Sequence, residues 1–183
     1  MDGLWLTPEQ ARQIGAHALA EAPHEACGLI GGAGGRALRI FAAPNVAVEP
    51  TLHYEIDPAA LAECMMQLQA AGLDLIGFYH SHPQGPPSPS QTDVALATYP
   101  DAAYLIVGLR SGEPELAVWR LAYGSADRLF LHVSMEPPPA DSGSLSRAQK
   151  IAIVLSAVLA VAAFLAISLW LLPPAPRIVT PLP

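Results

Sequence analysis

Apolar positions along this chain change period several times, and each change marks an element. Thr7-Pro8-Glu9-Gln10 opens a helical pattern that carries Ile14 and Leu19 on one side and runs to about Ala20, before Pro23. Thr7 suits the N-cap, Pro8 the first helical position, and Gln10 completes a capping box. Cys27-Gly28-Leu29-Ile30-Gly31 is a short apolar run; a Gly-Ala-Gly-Gly turn follows, and 36–43 resumes as a strand, which predicts a hairpin. Residues 52–56 are a further strand candidate. Asp57-Pro58 repeats the cap-plus-proline signal and opens a helix with Leu61, Met65 and Leu68 at helical spacing, closed near Ala71 by Gly72.

A strand from Leu73 to His80 then enters 81–89, a loop stiffened by Pro83, Pro86, Pro87 and Pro89. A helix from Ser90 to about Tyr99 comes next. Residues 103–109, 115–123 and 128–133 read as three strands joined by Ser-Gly-Glu-Pro and Gly-Ser-Ala-Asp turns. The expected fold class is α/β, with a mixed β-sheet and two or three helices in one domain over 1–136. Residues 137–150, rich in Pro and Ser, are the expected linker.

Residues 151–172 break the alternation. The run carries no charge, and only Ser156 and Ser168 are polar. As a helix at about 1.5 Å per residue it would span roughly 33 Å, against a hydrocarbon core of about 30 Å. The expectation is one C-terminal transmembrane helix followed by a short tail, 173–183, with the membrane as a partner. Arg147 and Lys150 precede the run and only Arg177 follows it, so the positive-inside rule makes this a single-pass membrane protein with a cytoplasmic N-terminal domain. Met1 to Gln10 shows neither the basic nor the apolar region of a secretory signal.

Before Pro137, six arginines face fifteen acids, which argues against a nucleic-acid partner. Cys27 and Cys64 are too few for a disulfide framework, and a cytoplasmic domain would keep them reduced.

The chemistry concentrates in Phe78-Tyr79-His80-Ser81-His82-Pro83 and in Ser90-Gln91-Thr92-Asp93. Two histidines separated by one residue at the end of a strand point the same way, because strand side chains repeat every two positions. A carboxylate returning after the proline loop can complete a three-donor site. Two imidazoles, one carboxylate and a fourth position left to water form the pattern of a catalytic zinc, whereas structural zinc sites are usually closed and rich in Cys. Ser90-x-x-Asp93 is equally a capping box, and Ser90 can serve both purposes. His17, His24, His53 and His132 have no ligand-like spacing.

These motifs resemble the JAMM metalloprotease family, also called JAB1/MPN+, in its short bacterial form. The shared pattern is an upstream Glu, here Glu25 before Ala26-Cys27-Gly28-Leu29, then His-x-His, seven residues beginning with Pro83, Ser90, two residues and Asp93. The resemblance covers most of 1–123 and implies a single JAB1/MPN-like domain. It implies that His80, His82 and Asp93 bind Zn²⁺, that Glu25 is the general base, and that Ser90 helps to stabilise the oxyanion. It also implies the substrate class: an amide near the C-terminus of a ubiquitin-like or sulfur-carrier protein. Cys27, two residues from Glu25, is expected as a small core residue near the metal. The alternative is a tethered MPN-type binding scaffold without catalysis, as the metal-free members are. A DNA-repair branch with a similar motif fits the acidic composition poorly.

Overall fold

The computed structural model describes residues 2–136 and 147–170. Seven strands and three helices lie within the first of its two units, Met1–Ala140. They run β1 (Gly3–Leu6), α1 (Pro8–Glu21), β2 (Cys27–Ala33), β3 (Arg36–Ala43), α2 (Pro58–Ala70), β4 (Asp74–His82), α3 (Gln91–Leu96), β5 (Ala103–Gly108), β6 (Glu115–Ala122) and β7 (Ser125–Val133). The sheet is mixed, as expected, but it closes on itself in the order β1-β3-β2-β4-β5-β6-β7. Closure depends on β1, which the sequence did not announce. It pairs in parallel with β7, Leu4 against Leu131, and touches β3 through Trp5 and Arg36.

Local signals worked where the cause was local. Thr7 and Gln10 form the capping box of α1, and the Asp57 side chain accepts from the Ala60 amide at the start of α2. The two helices cover two core clusters. Ile14 and Ala18 of α1 pack with Leu4, Leu6 and Tyr79, while Cys64 of α2 packs with Leu29, Phe78 and Tyr104. Strand β5 is buried at all positions and pairs in parallel with β4, so it shows a continuous apolar run rather than an alternation.

Several boundaries differ from expectation. Strand β7 begins at Ser125 rather than 128, because Ser125, Ala126 and Asp127 already pair with β6. Strand β4 continues to His82, because His82 pairs with Gly108 of β5. Helix α3 stops at Leu96 instead of Tyr99. Ala97 is extended there, and the Tyr99 amide donates to the Tyr104 hydroxyl at 3.2 Å instead of to a helical carbonyl. Residues 52–56 contribute only a bridge between Ile56 and Asn45.

The second unit, Asp141–Pro183, contains α4 (Arg147–Trp170), which begins inside the stretch expected to be linker. The rest of that linker, 137–146, and the tail, 173–183, lie outside the described residues. The expected membrane span is corrected. Among the described residues, no helix is long and apolar enough to cross a membrane. The single-pass membrane localisation and the membrane partner fall with the span, and so does the cytoplasmic orientation deduced from it.

Gly108 marks where the barrel holds the proline loop. A Cβ there would lie 2.5 Å from the Pro87 nitrogen and 2.7 Å from the Pro86 carbonyl carbon, both backbone atoms. Gly108→Ala is expected to lower the unfolding free energy by about 1–3 kcal/mol, measured by urea denaturation. An unchanged midpoint would show that the loop is free to yield.

Candidate metal centre

Strand β4 alternates Phe78, His80 and His82 with Tyr79 and Ser81, so both imidazoles leave the same face of the sheet. The loop after β4 is fixed from several sides. The Leu109 amide donates to the His82 carbonyl at 3.1 Å, and the Trp119 indole N–H donates to the Pro87 carbonyl at 3.0 Å. The loop thus delivers Ser90 as the N-cap of α3, with Asp93 in its first turn.

Three side chains bring their donor atoms together there. The His80 and His82 Nε2 atoms are 3.1 Å apart, His80 Nε2 lies 3.4 Å from Asp93 Oδ1, and His82 Nε2 lies 3.3 Å from Asp93 Oδ2. Ligands at about 2.0–2.1 Å around a tetrahedral zinc are separated by about 3.3 Å, and the separation of the two imidazole nitrogens, and of each from one Asp93 carboxylate oxygen, is close to that. The tautomers also agree. The Pro86 carbonyl can only accept, so His82 Nδ1, 3.1 Å away, carries a proton and leaves Nε2 free to donate its lone pair. His80 is fully buried and its Nδ1 has no hydrogen-bond partner. Its ring is oriented instead by Tyr54, stacked at 4.4 Å and 18°. The donor set therefore suits a divalent cation such as zinc.

The charges follow from the same geometry. Burial alone would raise the Asp93 carboxyl, but the two imidazoles and the Ser90 amide outweigh it and hold it well below the usual carboxylate range. Burial pulls His80 down and keeps it neutral. Burial would also lower His82, but Asp93, Glu25 and the Pro86 carbonyl raise it.

Glu25 lies just before β2, and its place follows from register. Cys27 pairs with His80 and Gly28 with Tyr79, so continuing the antiparallel ladder sets Glu25 opposite His82. The Ser81 amide donates to the Ala26 carbonyl at 2.9 Å, and the Ala26 amide to the Ser81 hydroxyl at 2.8 Å, which carries the pairing past the end of the strand. Residues opposite one another share a face, so Glu25 projects to the side of the two histidines. It is buried. Burial first, with His82 lowering and Asp93 raising it, pushes its carboxyl up to about 7.

Ser90 is exposed and makes the capping box. Its Oγ accepts from the Asp93 amide at 3.1 Å, while its own amide donates to Asp93 Oδ2 at 2.7 Å. Accepting uses a lone pair and leaves the hydroxyl proton free to donate elsewhere. Cys27 is fully buried against the Ala43 carbonyl, and burial, helped by Glu25, pushes its thiol up to about 12. It fits the core residue expected of it.

Two residues at the site escaped sequence reasoning: Tyr54 and Asn45. The signal for Tyr54 was the alternation within 52–56, where Tyr54 and Ile56 are part-buried and His53 and Glu55 are exposed. Beside Asp93 opens a groove of about 760 Å³, lined by Tyr54, Leu61, Phe78, Leu96, Tyr99 and Tyr104 among others.

A closed mixed barrel thus brings two strand histidines and a helix-capping aspartate together, near a buried glutamate, in an arrangement that could hold a metal ion. The chain belongs to the prokaryotic homologs of the JAB domain, whose family model matches residues 7–122. It is 41% identical over 91 residues to desampylase from Haloferax volcanii, covering 49% of this chain and 66% of that protein. It is 43% identical over 94 residues to a probable TtuB-protein conjugate cleaving protease from Thermus thermophilus, covering 51% of this chain and 62% of that one. The match thus spans less than two thirds of either relative. A solution structure of a protein from Desulfitobacterium hafniense superposes with a TM-score of 0.64 at 30% identity, over 73% of this chain and 95% of that one.

The raised Glu25 carboxyl predicts a pH effect. Between its ordinary 4.5 and about 7, the folded chain keeps a proton that the unfolded chain has released. Stability in the presence of chelator should therefore fall as pH rises through that window, by up to about 3 kcal/mol from this group. Glu25→Gln removes the contribution, so the variant should gain on the wild type from pH 4.5 to 7, followed by urea denaturation. Parallel stability curves would rule out the shift.

Proposed function

We propose that this chain is a zinc-dependent peptidase or isopeptidase that hydrolyses an amide near the C-terminus of a ubiquitin-like or sulfur-carrier protein. The convergence of His80, His82 and Asp93 on one point beside Glu25 carries the reading. The relatives add the substrate class, since one is named for cleaving TtuB-protein conjugates. In this reading the activity resides in residues 1–136.

His80, His82 and Asp93 would hold the metal. Bound there, zinc supplies Lewis acidity that brings the pKa of a water molecule from about 15.7 towards 7. Glu25, unligated and pushed up to about 7, takes a proton from the attacking water and returns it to the leaving amine as the C–N bond breaks. Ser90 keeps its hydroxyl proton to donate to the carbonyl oxygen as negative charge develops there. The groove running up to Asp93 offers apolar walls for the acyl side of the substrate. A binding scaffold without catalysis would need neither the convergence of three donor side chains nor a free Ser90 proton.

The test is cleavage of a fusion in which a ubiquitin-like protein ending in Gly-Gly is joined by an amide to a second protein. Zinc-loaded chain should cut after Gly-Gly, chelator should abolish the cut, and added zinc should restore it. Glu25→Gln should keep stoichiometric zinc while losing about 10²–10⁴-fold in rate. Cleavage indifferent to chelator, or no cleavage by zinc-loaded protein, would overturn the proposal.

A further inference from the structure

We infer that Asn45 is a positioning residue for this reaction. Its carboxamide ties the main chain of Glu25 to the segment carrying Tyr54, so that the carboxylate and the ring stacked on His80 meet the metal ligands as one unit. The inference rests on the role proposed above for Glu25.

Asn45 follows β3 and is half-buried. Its Nδ2 donates to the carbonyls of Glu25 at 2.9 Å and His53 at 3.0 Å. Its Oδ1 accepts from the amides of Ala47 and Glu55, both at 3.0 Å. A carboxamide has two N–H donors and two lone pairs, and here all four are used. The orientation is forced as well, because a flipped amide would set oxygen against carbonyl oxygen and N–H against N–H.

The four partners lie on two separate pieces of the site. Glu25 precedes β2, outside any strand, and its amide donates to the Pro50 carbonyl at 2.7 Å. Both main-chain polar groups of Glu25 therefore end on the 45–50 segment. His53 and Glu55 flank Tyr54, and the Val46 amide donates to the Glu55 carbonyl at 2.8 Å. Tyr54 in turn sets the plane of the His80 ring, which has no hydrogen bond of its own at Nδ1. One side chain thus links the base to a metal ligand without itself being among the candidate metal ligands or lining the groove.

The test uses zinc-loaded full chain and the Gly-Gly fusion. Asn45→Asp is the sharper variant: it keeps both acceptor contacts to Ala47 and Glu55 but sets a carboxylate oxygen against the carbonyls of Glu25 and His53. Asn45→Asp and Asn45→Ala should retain stoichiometric zinc and lower kcat by about 10–100-fold, with KM changed less than about threefold. In a Glu25→Gln background, Asn45→Asp should lower the residual rate by a clearly smaller factor than in the wild-type background, since part of its effect runs through Glu25. Unchanged kcat, or the same proportional loss in both backgrounds, overturns the inference while leaving the hydrolase reading in place. Absence of cleavage by the wild type overturns both. Should the variants fail to fold, the wild type decides: its Asn45 side-chain amide protons should be protected from solvent exchange, and free exchange overturns the inference.

Discussion

Antiparallel pairing of β2 with β4 is the constraint on which the rest of the site depends. It places Cys27 beside His80 and, extended by the Ser81–Ala26 contacts, brings Glu25 level with His82. A slip of one residue would turn every side chain of β4 to the other face and send both histidines into the opposite core cluster. The register is held by shape. A Cβ on Gly28 would lie 2.2 Å from the Phe41 carbonyl oxygen and 2.4 Å from the Tyr79 ring, so only glycine lets β2 sit between β3 and β4 with that ring across it. The Tyr79 hydroxyl, 3.0 Å from His17 Nδ1, then ties the same strand to α1.

Asp93 shows how one carboxylate serves fold and site together. Oδ2 accepts from the Ser90 amide, as a capping residue should, and the same group faces both imidazoles. Helix α3 has six residues, too few to be stable without help, so the cap that starts it also settles where the third donor lies. The capping and metal-ligand readings of Ser90-x-x-Asp93 are therefore compatible. The cap takes one lone pair of the Ser90 hydroxyl and one of Asp93 Oδ2, and it leaves both carboxylate oxygens facing the imidazoles and the serine proton for chemistry.

What could be read in advance followed how local its cause was. The caps of α1 and α2 and the His-x-His spacing depend on residues a few positions apart, and they are visible in the chain. The parallel partnership of β1 with β7 joins residues about 127 positions apart and has no local signature, so barrel closure was not legible. Helix α3 was drawn too long because its end is decided by Tyr104, a residue on the next strand. Asn45 was invisible for a related reason. Its role consists of contacts to main-chain groups of 25, 47, 53 and 55, and main-chain partners leave no trace in the identity of those residues. The membrane span failed differently: apolar composition over 151–172 was taken for a span, but among the described residues no helix is long and apolar enough to cross a membrane.

The distribution of buried polarity ties these points together. Among the described residues, the polar or charged side chains buried in the protein are Glu25, His80 and Ser81. All three lie on the β2–β4 pairing at the point where it reaches the centre. Ser81 is satisfied by the Ala26 amide, but His80 Nδ1 has no partner, and the Glu25 carboxyl is raised by the same burial. A buried group without a partner costs on the order of 1–3 kcal/mol, which a barrel with an otherwise apolar interior can carry at one place. That cost keeps His80 neutral and holds Glu25 near neutrality in its titration, the two properties a metal ligand and a proton acceptor need. The strain against folding and the capacity for chemistry are therefore one feature of the β2–β4 ladder, seen from its two sides.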